Sequence, residues 1–353
     1  MGASVAVVIP NWNGAALLPA CLDALRQQTY RDFVVVVVDN GSRDGSRAVL
    51  AAYPEVQALL LPRNRGFAAA TNRGIRATMT PYVATLNNDA VPEPDWLAAL
   101  MAAARDAPPE VGMWASRMVF AAAPDRLNSC GIALDRVGIA WDLLGGAPVG
   151  ADAALREPFG PCAGAALYRR ALLDEVGLFE ERFFAYLEDV DLAWRARHRG
   201  WRCQYVPAAV VRHHHSATGG EGSAWKRYLL GRNKVWLLAR NFPAGWWPWL
   251  PAAIAYDLAA VGYALLAHGD GAALRGRLAG LRGLPWALRS RRRSQPRRGR
   301  APALDGVVQR PVAPWRVPAR YHHLRALHLT APRRPGAGGG ATAPQRSTGP
   351  WEP

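Results

Sequence analysis

The chain has 353 residues, half of them hydrophobic, and a formal charge of +16. That length and composition suffice for a large core, as one big domain or two ordinary ones, and exclude disorder of the whole. The charge is uneven: residues 1–240 hold 26 basic and 23 acidic side chains and residues 241–353 hold 17 and 4, a balance of +13, so the C-terminal third is the part suited to an anionic surface.

In chain order, the opening MGASVAVVIP carries no basic stretch before its short apolar run, which predicts no signal peptide, and Gly2 lacks the Ser or Thr of the myristoylation pattern. SVAVVIP reads as a strand, LLPACLDALRQQ as a helix, FVVVVVDN as a strand, SRAVLAAY as a helix, VQALLLP as a strand, GFAAATNRGIRA as a helix and YVATLNND as a strand. Continuous runs such as Val34 to Val38 suit strands covered on both faces, hence a mostly parallel sheet in a doubly wound α/β fold. Ligands of such sheets lie beyond the carboxyl ends of the strands. Those ends are Pro10 to Gly14, Asp39 to Ser42, Arg63 to Gly66 and Asn87 to Asp89, after which Pro92 and Pro94 are expected to stop the strand.

Neither GxGxxG nor GxxxxGK[ST] follows the first strand, which argues against a dehydrogenase or a P-loop ATPase. Asp39 is placed either to accept from a base or ribose donor, or to serve a turn with Asn40 and Gly41 while Ser42 caps a helix. Residues 111–159 mix strand and loop patterns without a clear order. Beyond them, Arg169 to Val176 and Glu188 to Arg199 read as helices, the second stopped by Gly200, and Cys203 to Val211 reads as a strand running into His213, His214 and His215. The four cysteines, Cys21, Cys130, Cys162 and Cys203, form no CxxC pair, which argues against zinc and disulfides and for a reducing cytoplasm.

Glu188, Asp189 and Asp191 crowd a first helical turn after the aromatics Phe183, Phe184 and Tyr186. They serve either the helix dipole or, for a partly desolvated carboxylate, general-base chemistry. Neighbouring histidines on extended chain point to opposite faces, so at most two converge on one ion. Asp89 with one imidazole and diphosphate oxygens would suit Mg2+ or Mn2+ better than zinc.

The blocks VVIPNWNG, VVVVDNGSRDGS, RNRGFAAATNRGI, LNNDAVPEPDWL, CAGAALYRRALLDEVGLFEERFFAYLEDVDLAWRARHRGW and VVRHHHSAT, in this order, resemble the inverting GT-A-fold glycosyltransferases of family two, especially the rhamnosyltransferase-like members. The resemblance runs from about Val5 to about Asn241. It implies that a nucleotide-diphosphate sugar lies across the strand ends, near Pro10, Asn11, Asn13, Asp39, Asn64, Gly66, Asn72, Asn87 and Asn88. It further implies that Asp89 holds a divalent cation, Mg2+ or Mn2+, that His213 reaches the ion or the diphosphate, and that Asp189 is the base with Glu188 beside it. His214 and His215 are taken as bystanders. Asn87 stands where many members have a first Asp; its amide can bond a ribose hydroxyl but brings no charge to a metal.

Farther on, the apolar core Ala252 to Ala267 is shorter than the ~20 residues a bilayer requires and contains Asp257. Trp246, Trp247 and Trp249 suit a headgroup interface. Leu274, Leu278, Leu281 and Leu288 share one helical face and Arg275, Arg282 and Arg289 another, as in a helix lying on an anionic membrane, or docked on the protein itself. The tail beyond Ser290 reads as largely disordered, and it lacks the interleaved aromatics of specific nucleic-acid binding. The expected organisation is a nucleotide-sugar-binding half (1–110), an acceptor and catalytic half (111–240), a membrane-associated helical segment (241–290) and a basic tail (291–353). The expected protein is a cytoplasmic enzyme, peripheral at the inner face of the cell membrane through residues 246–300. It would move a sugar, with dTDP-rhamnose as the leading donor, to a glycan or lipid-linked acceptor. A sugar-1-phosphate nucleotidyltransferase and a non-catalytic sugar-nucleotide binder are the rival readings.

Overall fold

Alternate valines of the first two strands face two different cores. Val5, Val7, Val35 and Val37 pack with Leu18, Leu22, Trp96 and Leu100 on one side of the sheet. Val8 joins Ile75 in a second core, and Val36 and Val38 meet Ala70. Helices on both faces are thus a consequence of strands that have no polar face. The computed structural model describes residues 3–214, 223–269, 271–294, 304 and 306–311.

The first half is β1 (Val5–Asn11), α1 (Leu18–Arg26), β2 (Phe33–Asp39), α2 (Ser46–Ala51), β3 (Gln57–Leu60), α3 (Phe67–Arg76) and β4 (Tyr82–Leu86). Its strands are parallel in the order β3-β2-β1-β4, with Val7 opposite Val35 and Ala84. Next come β5 (Ala90–Pro92), α4 (Trp96–Asp106), β6 (Val111–Phe120), β7 (Ala123–Ser129), β8 (Ile132–Leu134), β9 (Ala140–Asp142), β10 (Ala165–Arg169), α5 (Arg170–Val176), α6 (Glu188–His198) and β11 (Arg202–His213). Strand β10 is inserted antiparallel between β4 and β6, and β11 runs parallel to β6. The sheet is therefore mixed, its order continuing β4-β10-β6-β11-β5.

The chain does not leave the sheet at Asp89 as the prolines led us to expect. It turns through Asn87 to Asp89 and re-enters as β5, antiparallel to β11, with Pro92 opposite Val211. Proline is tolerated there because β5 is an edge strand and Pro92 its last residue. The consequence is functional: pairing of Ala90 with His213 brings the fourth strand's acidic end beside the histidine that ends β11.

The chain continues as α7 (Ala224–Asn241), α8 (Leu250–His268), α9 (Ala272–Arg282) and α10 (Leu284–Ser294). Helix α9 seats on α7 through glycines. A Cβ on Gly276 would lie 2.2 Å from the Tyr228 carbonyl oxygen, and one on Gly280 would lie 2.8 Å from Val235 Cβ. The opposite side of these helices is apolar and open, with Leu274, Leu278, Leu281 and Leu288 exposed beside exposed Arg275, Arg282 and Arg289. Docking on the protein and an outward leucine face thus coexist. Asp257 turns inward, pairing with Arg277 at 2.8 Å and Lys234 at 3.2 Å, while Trp247, Ile254, Leu258 and Leu266 stay exposed. The helical stretch Ala244–Leu266, at 23 residues, is long and apolar enough to cross a membrane by length and composition, and exceeds the core read from the sequence. His215 and residues 295–300 lie outside the described residues, as does most of the tail.

Candidate active site

The strand ends form one network of amides. Asn11, buried at the end of β1, donates to Asp39 Oδ1 (3.3 Å) and accepts from Asn88 Nδ2 (2.7 Å), so three of the four strand ends meet at one side chain. Gly14 is required beside them, because a Cβ there would sit 2.1 Å from the Asn88 amide. Asp39 is fully buried and also accepts from the Ser42 backbone N–H (3.3 Å), with the half-exposed Arg47 guanidinium 3.4 Å away. Ser42 is no helix cap: it accepts from the Asn13 backbone N–H at 2.9 Å, while Asn13, at φ 50°, accepts from Arg43 through its own side chain. Asn40 donates to Asn64 Oδ1 (2.9 Å) and to the Gly66 carbonyl (3.1 Å), tying the second strand end to the third. Pro10 lies within β1 opposite Val38.

Asn72 has a different occupation. It is buried in the middle of α3, where its amide donates to the Phe179 carbonyl (2.8 Å) and Glu181 Oε1 (3.0 Å) and its carbonyl accepts from Phe179 N–H (3.0 Å). That side chain is committed to holding the segment leading to α6.

Asp89 and His213 are both buried, with His213 Nε2 3.1 Å from Asp89 Oδ1 and 3.3 Å from Asn87 Nδ2. On the other side of the ring, Nδ1 faces Asn128 Oδ1 at 2.9 Å. A proton on Nδ1 donated to Asn128 leaves the Nε2 lone pair directed at the Asp89 pocket, as a metal-binding imidazole requires. Two donors at right angles, each about 2.1 Å from a hard cation, lie about 3 Å apart, so this pair fits Mg2+ or Mn2+ with most of the shell left to phosphate and water. No group of three or more His, Cys, Asp or Glu side chains suited to a metal occurs among the described residues. Burial alone would raise the proton affinity of Asp89, but positive charge on the His213 ring, carried when Nε2 holds a proton in place of a cation, keeps its carboxyl below the usual range.

The acidic turn of α6 separates into three environments. Asp191 accepts from Arg195 (2.8 Å), Arg240 (2.9 Å) and Asn241 (2.8 Å). Burial opposes its charge, yet the two guanidiniums and the amide hold its pKa down at about 2. It is a structural anion. Among the described residues, Asp189 accepts only from backbone N–H groups, those of Ala163 (3.3 Å) and Val190 (2.8 Å). Burial raises it to about 6; those bonds limit the rise and the Asp142 carboxylate adds to it. Glu188 is pushed well above the ordinary carboxyl value, by burial first and by Asp189 second, and its Oε2 has no hydrogen-bond partner among the described residues. Burial thus raises both carboxyls, Glu188 more strongly than Asp189, whose anion the backbone N–H groups stabilise.

Two adjacent residues join these carboxylates to the strand ends. Ala163 donates to Asp189, while Gly164 accepts at 2.9 Å from the Asn87 backbone N–H. Sequence reading missed Asn40, Asn128 and Asp142. Asn40 lay within the quoted DNGS block, whereas Asn128 and Asp142 belong to β7 and β9, in the stretch whose pattern gave no order.

Residues 6–177 match the family model described as Glycosyl transferase family 2. The chain is similar to the N-acetylglucosaminyl-diphospho-decaprenol L-rhamnosyltransferase of Mycobacterium tuberculosis (strain ATCC 25618 / H37Rv), 28% identical over 269 residues, covering 68% of this chain and 85% of that protein. It is similar also to the pre-mycofactocin glycosyltransferase of the same strain, 33% identical over 219 residues, 60% of this chain and 43% of that protein. Among solved structures, GalNAc-T7 with UDP, GalNAc and Mn2+ shares the fold, with a TM-score of 0.52 at 16% identity over 73% of this chain and 57% of that one.

Proposed function

Because the chain is a glycosyltransferase with a family 2 domain over residues 6–177 and a GT-A fold, we propose that it transfers L-rhamnose from a nucleoside diphosphate donor to a hydroxyl of a lipid-linked glycan, with inversion. The supporting observation is the division of proton affinity between Glu188 and Asp189, in a site tied to Asn87 through Ala163 and Gly164. A carboxylate with a pKa of about 6 is ionised at neutral pH yet basic enough to take a hydroxyl proton.

In this reading the network of Asn11, Asp39, Asn64 and Asn88, with Asn13, Gly66 and Pro10, lines the nucleotide and sugar, and Asn87 bonds a ribose hydroxyl. Asp189 takes the acceptor proton as the acceptor oxygen bonds to the anomeric carbon. The bond from that carbon to the diphosphate breaks, its electron pair leaving with the diphosphate. Glu188 stays neutral and keeps a second negative charge from competing with Asp189. Asp89 and His213 would hold Mg2+ or Mn2+, which supplies charge neutralisation for the leaving diphosphate.

The exposed leucine and arginine face of α9 and α10, with α8, fits the inner surface of an anionic membrane, where a lipid-linked acceptor resides. The acceptor named in the similar mycobacterial enzyme, an N-acetylglucosaminyl-diphospho-polyprenol, is the first to test. Purified protein is to be assayed for nucleoside diphosphate release from a sugar-nucleotide panel with that acceptor in anionic vesicles, with Mn2+, Mg2+ or EDTA. Metal-dependent release from dTDP-rhamnose with a β-to-α or α-to-β change at the anomeric centre is expected. Release of pyrophosphate from a nucleoside triphosphate and a sugar phosphate, or donor binding without turnover on any acceptor, would replace this reading.

A further inference from the structure

The segment that delivers Glu188 and Asp189 has an unfavourable backbone. Phe184, Tyr186 and Leu187 have φ of 67°, 69° and 68°, and none is glycine. Phe184, with ψ of −65°, is the centre of a γ-turn of the rare, strained hand, closed by Ala185 N–H donating to the Phe183 carbonyl at 2.8 Å. Such conformations persist only where their surroundings over-determine them. Leu187 then caps α6, so every departure from this path rotates the first turn of the helix and moves its carboxylates.

One side chain on a distant helix supplies the restraint. Asn233, fully buried in α7, directs its Nδ2 at the carbonyls of Phe183 (2.9 Å), Ala185 (2.8 Å) and Tyr186 (2.8 Å). Its Oδ1 accepts from Arg232 Nε at 3.0 Å, and the same guanidinium donates to the carbonyls of Phe183 (2.9 Å) and Arg182 (3.2 Å). Carbonyls turned inward by left-handed residues have no helical or strand partner, and an amide N–H2 is a donor group of the right size to gather them.

We propose that Asn233 is a positioning residue for glycosyl transfer, fixing the Phe183–Leu187 backbone so that Asp189 meets the acceptor hydroxyl in line with the leaving group. The inference rests on the reading of Asp189 as the base. Asn233→Asp preserves shape but replaces the donor with an oxygen that repels the three carbonyls. Leu100→Ala truncates a fully buried residue of α4, in the core on the other side of the sheet from Phe183, and serves as the stability control.

The experiment measures kcat, donor KM and donor Kd for both variants, together with hydrogen exchange of peptides spanning 184–191. For Asn233→Asp, kcat should fall at least 30-fold with donor Kd within threefold of wild type, and exchange should quicken in 184–191 but not in β1 or β4. Leu100→Ala should keep kcat within threefold. Unchanged exchange in 184–191 would overturn the inference whether or not turnover is seen. A folded Asn233→Asp enzyme with kcat within threefold of wild type, or one losing donor binding and kcat together, would overturn it as well. Absence of turnover by the wild type on every donor and acceptor would instead overturn the proposed function.

Discussion

Glu188 and Asp189 are consecutive in one helical turn, yet Asp189 is stabilised by two backbone N–H groups while Glu188 Oε2 is buried without a partner among the described residues. Their proton affinities are therefore driven apart by position rather than by residue type.

The first consequence concerns pH. A base must be ionised to work, so kcat/KM should rise through an acidic limb centred at about 6 and level off above it. Asp189→Asn should lower kcat by ~1000-fold while leaving donor affinity nearly intact, as the loss of a general base does. Steady-state rates against pH for the wild type, and donor titrations of the variant, decide this; a limb well away from pH 6, or a variant with residual turnover above a few per cent, would assign the base elsewhere.

The same displacement costs stability. Between the unfolded value near ~3.9 and the folded value of about 6, native protein binds more protons than unfolded protein, so stability falls as pH rises through that window. Asp189→Asn should therefore raise the Tm at pH 7.5, by an amount equivalent to as much as about 3 kcal/mol. Thermal melts at pH 4 and pH 7.5 should show the gain only at the higher pH.

Asp191 behaves in the opposite sense. With a folded value of about 2, below the unfolded one, its contribution is complete above pH ~4 and is lost as pH falls towards 2. Removing one partner of this buried cluster, as in Arg240→Ala, strands the charge and should cost about 3–5 kcal/mol. Urea titrations at pH 7 should show the loss, and a variant as stable as the wild type would mean that Asp191 has no need of Arg240.

Metal dependence should divide between two side chains. Asp89→Ala should weaken Mn2+-dependent binding of a nucleoside diphosphate by at least ~100-fold, and His213→Ala by ~10–100-fold, with little change in the binding measured in EDTA. Calorimetry with and without Mn2+ separates the two terms; equal losses under both conditions would make these residues structural.

The proposed membrane contact would rest on the leucines that α9 turns away from α7. Each of Leu274, Leu278 and Leu281 is about half exposed, and completing its burial would contribute roughly 1 kcal/mol. The triple change to Ser should reduce partition onto anionic vesicles on the order of 100-fold without altering turnover of a soluble acceptor analogue. Flotation assays at low and high salt provide the check, and binding that survives both the triple variant and high salt would move the contact to α8.

The parallel half of the sheet was legible because Val5–Ile9 and Val34–Val38 admit no polar face, and the acidic start of α6 was legible because Glu188, Asp189 and Asp191 crowd one turn. The middle was not. Strands β8 and β9 have three residues each, and β7 reads APDRLNS, whose proline and charges signal a loop until β6 pairs with it across two register shifts. Asn72 shows the same limit at one residue. An asparagine inside a helical pattern suggests a turn or a ligand contact, and only the approach of Phe179, 107 positions away, reveals its occupation. Which of the three acids is an ion-paired strut depends likewise on Arg240, whose distance in sequence hides it.

Gly66 bears on how this enzyme can diversify. Any Cβ there would collide with the Phe184 carbonyl at 2.5 Å, and that same carbonyl accepts from Ala68 N–H at 3.2 Å. The loop proposed to face the sugar donor is thus keyed into the backbone that carries Asp189, the proposed base. On that reading a new donor preference could not be acquired by enlarging this loop at Gly66 without displacing Asp189, so natural variants with different sugars should keep the glycine and alter the exposed Arg63 and Arg65 instead.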